Sequence, residues 1–208
     1  RPPPAISGGT LLATRDGRTA VAADPDRDVV WIVDLAQAAL RKQVPLQPGD
    51  EPGRLVEDGA GRVHVALRGG GAILILDAAG QVLSRRAVCG GPRGVAFDAP
   101  ADLVHVACQS GELVSLPAAG GDPVRRVNLG TGLRDVLLNA GKLYVSSFEI
   151  ARLYELGPAG ELVTTIYPRT FSPDTYGGTG PLWPCNNAWR TLALPGGGVA
   201  MLHQRFLS

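Results

Sequence analysis

The sequence is poor in cysteine, in aromatic residues, in helical patterning and in any excess of one charge. Its three cysteines, Cys89, Cys108 and Cys185, are too few for a disulfide framework, and at least one must lack a partner within the chain. None falls in a CxxC or CxxCH arrangement, so the spacing offers no zinc, dithiol redox or c-type haem site, and no cofactor is expected in this chain. With 20 basic and 19 acidic residues the formal net charge is +1, which gives no electrostatic case for nucleic acid or an anionic membrane surface. No apolar run approaches the roughly 20 residues of a spanning helix. The longest, starting at Ala72, stops at Asp77. The opening RPPPAISGG has neither the basic start nor the apolar stretch of a signal peptide, and a bare arginine start fits numbering after processing. A periplasmic or extracellular location is therefore expected.

What the chain has in quantity is punctuation. It holds 28 glycines and 17 prolines beside an ordinary 45% of hydrophobic residues, the composition of many short elements joined by turns. The elements repeat. TAVAADPDRDVVWIVDL from Thr19, GRVHVALRGGGAILILD from Gly61, DLVHVACQSGELVSLPA from Asp102 and GKLYVSSFEIARLYELG from Gly141 follow one another at about 40 residues, and each reads as two short strands and a hairpin. Between them, GQVLSRRAV from Gly80, GDPVRRVNL from Gly121 and GELVTTIYP from Gly160 supply a glycine turn and another strand. A fourth strand precedes each hairpin, in GTLLATRDG from Gly9, RLVEDGAG from Arg54, GVAFDAPAD from Gly94 and DVLLNAGK from Asp135. Only DLAQAALRKQV from Asp34 has helix-forming composition, and its place in the repeat makes it a turn and a strand.

Four antiparallel strands per 40 residues is the spacing of a β-propeller blade. The expected fold is all-β: about four complete four-stranded blades and a partial fifth, part of a larger propeller. After an N-terminal segment (1–8), the blades fall at about 9–53, 54–92, 93–133, 134–189 and 190–208. Val63 and Val65, Val104 and Val106, and Leu143 and Val145 share one strand face, and His64, His105 and Tyr144 the other, so both faces are expected to be buried and both histidines packed.

GGPRGVAFDAPADLVHVACQSGELVSL from Gly90 and EPGRLVEDGAGRVHVALRGGGAILILD from Glu51 resemble the YVTN-type, NHL-like propeller repeat, and NAWRTLALPGGGVAMLHQR from Asn187 resembles bacterial periplasmic propellers found ahead of c-type haem domains. The resemblance implies the fold over about residues 9 to 205 and leaves function open, because propellers carry unrelated activities. Without a CxxCH no haem role transfers to any residue here.

Function is expected in the loops joining one blade's last strand to the next blade's first, which line the channel mouth. These are Gly49 to Gly53, Gly90 to Arg93, Gly130 to Arg134 and the long stretch 167–190. That stretch holds Tyr167, Phe171, Tyr176, Trp183 and Trp189 among four prolines, and Tyr176, Trp183 and Trp189 are candidate contacts for a ligand or partner. Arg93, Arg134 and Arg190 stand in equivalent phrases, PRGVAF, LRDVLL and WRTLAL, and symmetry would array their guanidinium groups around the axis to take a carboxylate or phosphate, unless each binds loop carbonyls or a carboxylate such as Asp135. His203 near the end of the sequence is a weaker candidate for a channel-facing residue.

Other motifs point to no chemistry. DPDRD at 24–28 lacks the glycine and glutamate of a calcium loop and reads as a hairpin turn. GGTGPLW at 177–183 is followed by neither lysine nor helix, no serine sits in GxSxG, and Cys108 should be an inert packing residue. No catalytic or metal-ligating residue is assigned. The expected function is a non-catalytic propeller presenting its mouth loops to a protein partner, to the remainder of the propeller or to a small anion. The alternatives are the propeller portion of a haem-dependent periplasmic oxidoreductase and a lactonase-like enzyme.

Overall fold

The computed structural model describes residues 9–170 and 183–205. Four sheets of four antiparallel strands follow in chain order. The first comprises β1 (Leu11–Ala13), β2 (Thr19–Asp24), β3 (Val29–Asp34) and β4 (Ala39–Pro45); the second β5 (Pro52–Glu57), β6 (Val63–Leu67), β7 (Ala72–Leu76) and β8 (Val82–Ala87). The third comprises β9 (Pro92–Asp98), β10 (Leu103–Cys108), β11 (Glu112–Pro117) and β12 (Arg125–Asn128); the fourth β13 (Leu133–Asn139), β14 (Lys142–Ser147), β15 (Arg152–Leu156) and β16 (Leu162–Ile166). A two-stranded sheet, β17 (Cys185–Ala193) and β18 (Val199–Arg205), completes the described residues, which contain no helix. The chain is thus all-β, with propeller blades.

Each blade is held by its neighbours. On β6, Val63, Val65 and Leu67 pack on Val21, Val30 and Ile32 of the first sheet, while Ala66 on the opposite face joins Val104 and Val106 of the third. Strand β10 repeats the division: Val104, Val106 and Cys108 face backward and Ala107 forward, against Leu133 and Val145 of the fourth sheet. This is why the middle strands read as continuous apolar runs, since a strand covered on both faces has no position to give to water. Full burial of each such Val, Leu or Ile contributes roughly 1.5–3 kcal/mol. The outermost strands β4, β8, β12 and β16 are largely exposed. Inner strands touch backbone to backbone at one point: a Cβ on Gly94 of β9 would lie 2.8 Å from both Arg134 O and Val136 N.

The segment from Asp34 forms a turn and then β4. Asp34 Oδ1 accepts hydrogen bonds from Ala36 and Gln37 N–H, as Asp77 Oδ1 does from Ala79 and Gln81 in the next blade. Ala38 adopts the positive φ (48°) that Gly80 supplies there, so the aspartate turn overrides helical composition.

His64 and His105 are each 1% exposed. His64 Nε2 lies 2.8 Å from Asp58 Oδ2, and Asp58 also accepts a bond from Arg62 Nε. Burial would raise the Asp58 carboxyl, but the hydrogen bonds from His64 and Arg62 outweigh it and hold the group low. Burial pulls both imidazoles below the ordinary value of 6.5, more than their aspartates push them up.

Cys108 departs from its expected role as an inert packing thiol. It forms a disulfide with Cys89, 19 residues earlier, leaving Cys185 free. Cys89 lies in the β8–β9 connector, and the two meet only once β10 is stacked on the second sheet. The bridge ties that connector to the β10 end.

Reducing this disulfide should lower the unfolding free energy by about 3 kcal/mol, the loop-closure value for a loop of this length, as read by urea unfolding with and without reductant. Stability should also fall on acidification. The unfolded chain binds more protons than the native one between the depressed native imidazole pKa and 6.5, so stability is full above 6.5 and declines as pH drops through that window. Melting temperature followed from pH 7.5 toward 5 checks this, and a His64→Asn/His105→Asn variant should show a flatter slope.

Candidate functional site

In each four-stranded blade the connector between fourth and first strands and the hairpin between second and third strands lie at the same end, which is the channel mouth. Backbone bonds stitch these loops together around it. Gln109 N–H donates to Gly91 O (2.8 Å), Gly132 N–H to Gln109 O (2.8 Å), Phe148 N–H to Gly132 O (2.7 Å) and Ala188 N–H to Phe148 O (2.8 Å). The DPDRD turn joins in, because the Asp28 carboxylate accepts from Gly49 and Glu51 N–H at 2.7 Å each.

The arginines sit at irregularities in the inner strands. Pairing skips Gly53 and Arg54 on β5, Arg93 on β9, Arg134 and Asp135 on β13, and Trp189 on β17. Such bulges re-aim side chains out of the alternating pattern. Here they turn arginines toward the axis. Among the described residues a narrow cleft is lined by Gly53, Arg54, Arg68, Arg93 and Arg134. In the second blade glycine stands where the third has Arg93, and Arg68 from the end of β6 fills the space: a Cβ on Gly53 would lie 3.1 Å from Arg68 Cδ.

Each guanidinium is held differently. Arg93 donates to Gln109 Oε1 through Nε (3.1 Å) and Nη2 (2.5 Å). Arg134 lies over the rings of Phe148 (4.7 Å) and Trp189 (5.8 Å), which pack edge to face at 5.1 Å. Arg68 is 3.7 Å from Glu51, whose side chain is 52% exposed. Burial lowers the pKa of Arg93 and Arg134 below the ordinary arginine value; at Arg93 the like charge of Arg68 adds to this and Glu51 opposes it, and at Arg134 Arg93 and Arg68 both add to it. Beside Arg68, Arg93 and Arg134 the acid is thus a solvated one at a distance, while Gln109 and the rings carry no charge; Arg54, at the inner side of the cleft, is paired with the buried Asp135.

Arg190 goes elsewhere. It lies inside β17, 3.5 Å from Asp135, as the sequence allowed, and does not line the cleft. Asp135 is 2% exposed, pairs also with Arg54 and accepts from Thr191 N–H at 2.7 Å, while its own N–H donates to Ser146 Oγ. This buried carboxylate links the second, fourth and fifth sheets across a central cavity of about 300 Å³ to which inner strands of all five contribute.

Of the aromatic candidates, Trp189 is half-exposed against Phe148 and Arg134. Trp183 is partly buried with its Nε1 unpartnered. Tyr176 falls outside the described residues. His203 lies on β18 opposite Ala188, its Nδ1 3.2 Å from Gln204 O, and does not line the arginine cleft. Sequence reasoning did not single out Arg54, Arg68 or Phe148. Arg54 was signalled by its phrase PGRLV, one residue out of step with PRGVA, and Arg68 by the hairpin it opens. Among the described residues no group of three His, Cys, Asp or Glu side chains is placed to hold a metal ion.

No protein-family model matches the chain, and no curated protein matches it. Solved structures do. Hydrazine synthase of Kuenenia stuttgartiensis superposes with a TM-score of 0.80 at 15% identity over 99% of this chain, which spans 58% of that one. A streptogramin B lyase gives 0.69 at 14% identity over 96% of this chain and 70% of its own, and a catalytically inactive virginiamycin B lyase from Staphylococcus aureus, solved with quinupristin, 0.69 at 11% over 92% and 68%. These likenesses show the propeller fold.

Asp135→Asn should destabilise the protein by about 3 kcal/mol, because Arg54 would stay buried without its countercharge. Denaturant unfolding measures this, and the effect should exceed that of Glu51→Gln at the solvated rim.

Proposed function

We propose that the chain is a binding propeller whose mouth takes a carboxylate or phosphate group carried at the tip of a larger ligand or of a partner's acidic side chain. The observation that carries this reading is the cleft whose lining is three arginine-bearing bulges, on β5, β9 and β13, and the Arg68 hairpin, with no carboxylate in its wall among the described residues. Guanidinium groups crowded together and partly desolvated repel one another, and an anion set among them relieves that repulsion while accepting forked hydrogen bonds. The cleft has room in its depth for about one water-sized group, so it suits a single oxyanion and excludes a whole molecule. The remainder of the ligand would rest on the surrounding rim, where Trp189 presents a half-exposed ring.

Binding without catalysis fits the chemistry at hand. Arginine offers donors and fixed charge but does not exchange protons near neutral pH. Gln109 and the Phe148 and Trp189 rings orient the guanidinium groups without cancelling their charge, as a recognition site requires.

Citrate and a hexaglutamate peptide, titrated calorimetrically at low ionic strength, test the reading. Both oxyanion sources should bind less well as salt rises, and Arg93→Gln/Arg134→Gln should weaken binding at least about 10-fold, near 1.4 kcal/mol. Binding of citrate alone would mark a small-molecule site, and of the peptide alone a protein-docking site. Equal affinity in the variant, or no binding by either probe, would overturn it.

A further inference from the structure

Three connectors reach the mouth in the same register, because Pro52 pairs with Leu67, Pro92 with Cys108 and Leu133 with Ser147. In each, the first hairpin residue donates its N–H to the connector: Arg68 to Glu51 O (3.1 Å), Gln109 to Gly91 O (2.8 Å) and Phe148 to Gly132 O (2.7 Å). Counting from these pairs, Gly49 and Gly130 are the counterparts of Cys89, and Leu67 and Ser147 are the counterparts of Cys108. Of the three, the middle connector alone carries a covalent link to its hairpin. The other two keep the same backbone bonds without one, so forming this connector does not require the bridge.

The middle connector has a particular need of it. Gly90 and Gly91 follow Cys89, and a Cβ on them would lie 3.2 Å from Ser110 Cβ and 3.1 Å from Gln109 Cβ. Two adjacent glycines allow this close approach to the hairpin, and they also leave the backbone its widest freedom. The arginine that follows is seated on little. Arg134 lies over two rings, whereas Arg93 donates to one neutral oxygen, Gln109 Oε1, and faces the like charge of Arg68. The bridge acts on both members of that hydrogen-bonded pair: Cys108 immediately precedes Gln109, and Cys89 stands four residues before Arg93. It therefore fixes the spacing between the segment that carries the donor and the segment that carries the acceptor.

We propose that the Cys89–Cys108 disulfide positions Arg93 for its oxyanion, so that the redox state of the bridge sets the anion affinity of the mouth. The proposal rests on the anion-binding reading above and adds its control. Cys108 is fully buried and Cys89 partly exposed, so a dithiol reductant attacks Cys89 Sγ. The S–S bond breaks, Cys108 leaves as a thiolate and takes up a proton, and a mixed disulfide joins Cys89 to the reductant. The reductant's second thiolate then closes on its own sulfur, releasing the Cys89 thiol and a cyclic disulfide, and two electrons have passed to the protein. The connector is then held by backbone bonds across two glycines. Arg93 has to be ordered at each binding event, and that ordering cost lowers affinity.

Citrate is titrated calorimetrically at low ionic strength into the oxidised protein, the protein reduced with dithiothreitol and the Cys89→Ser/Cys108→Ala variant, each shown to be folded by circular dichroism at the temperature used. Both forms without the bridge should bind citrate about 3- to 10-fold more weakly than the oxidised protein. In Arg93→Gln the oxidised and reduced forms should bind alike, whereas Arg134→Gln should keep the redox difference, a pattern that general loosening of the fold would not give. NMR without any ligand reads the positioning itself: reduction should expose Arg93 Nε–H to faster solvent exchange and leave the Phe148 and Trp189 ring signals in place. No citrate binding by the oxidised protein overturns the anion-binding reading, and the Arg93 signal then decides the positioning alone. Equal citrate affinity with and without the bridge, a redox difference that persists in Arg93→Gln, or an Arg93 signal indifferent to reduction would overturn the proposal.

Discussion

Everything in this molecule depends on the covering of each sheet's two faces by its neighbours. A lone four-stranded sheet of this sequence would present Val63, Val65 and Leu67 to water on one side and Ala66, Ile73 and Ile75 on the other. Stacking removes both faces at once, and radial stacking brings the inner strands together around one axis. Once the apolar packing is satisfied, the two ends of the axis are free to carry irregular, polar chemistry. The two-stranded sheet of β17 and β18 shows the same rule from the other side, with Leu192 and Leu202 more than half exposed where no sheet among the described residues covers them.

Charge near the axis is distributed unevenly, and that unevenness separates structure from recognition. Asp135 is saturated, drawing Arg54, Arg190 and the Thr191 amide to one buried point, and so holds sheets together. Arg68, Arg93 and Arg134 are positioned mainly by uncharged groups and a solvated glutamate. The same residue type thus fills two roles, decided by whether a buried carboxylate lies within reach.

Much of the fold was legible in the chain because the repeat is written in strand-length phrases. The alternation of VHVA placed Val63 and His64 on opposite faces, and both proved buried. The place in the repeat of the segment from Asp34 identified a turn and a strand despite its alanine-rich composition. Less of the site was legible. The equivalence of Arg93 and Arg134 could be read from their phrases, but the partition between Arg134 at the cleft and Arg190 at Asp135 could not, since it depends on contacts between blades far apart in sequence. Arg54 and Arg68 escaped notice because one is a residue out of step and the other belongs to a hairpin that reaches the axis only through the space Gly53 leaves.

By itself the sequence determined the all-β class, the four-stranded unit, its period and the faces that must be buried, because these follow from local alternation and turn chemistry. Tertiary structure alone decided what the repeats bring together: the Cys89–Cys108 bridge, the bulges that turn arginines inward, and the aspartate shared by three sheets. The bulges lie between two strands of one blade and show only in the register of their pairing, and the other features arise between blades, so that no single repeat contains both halves of them.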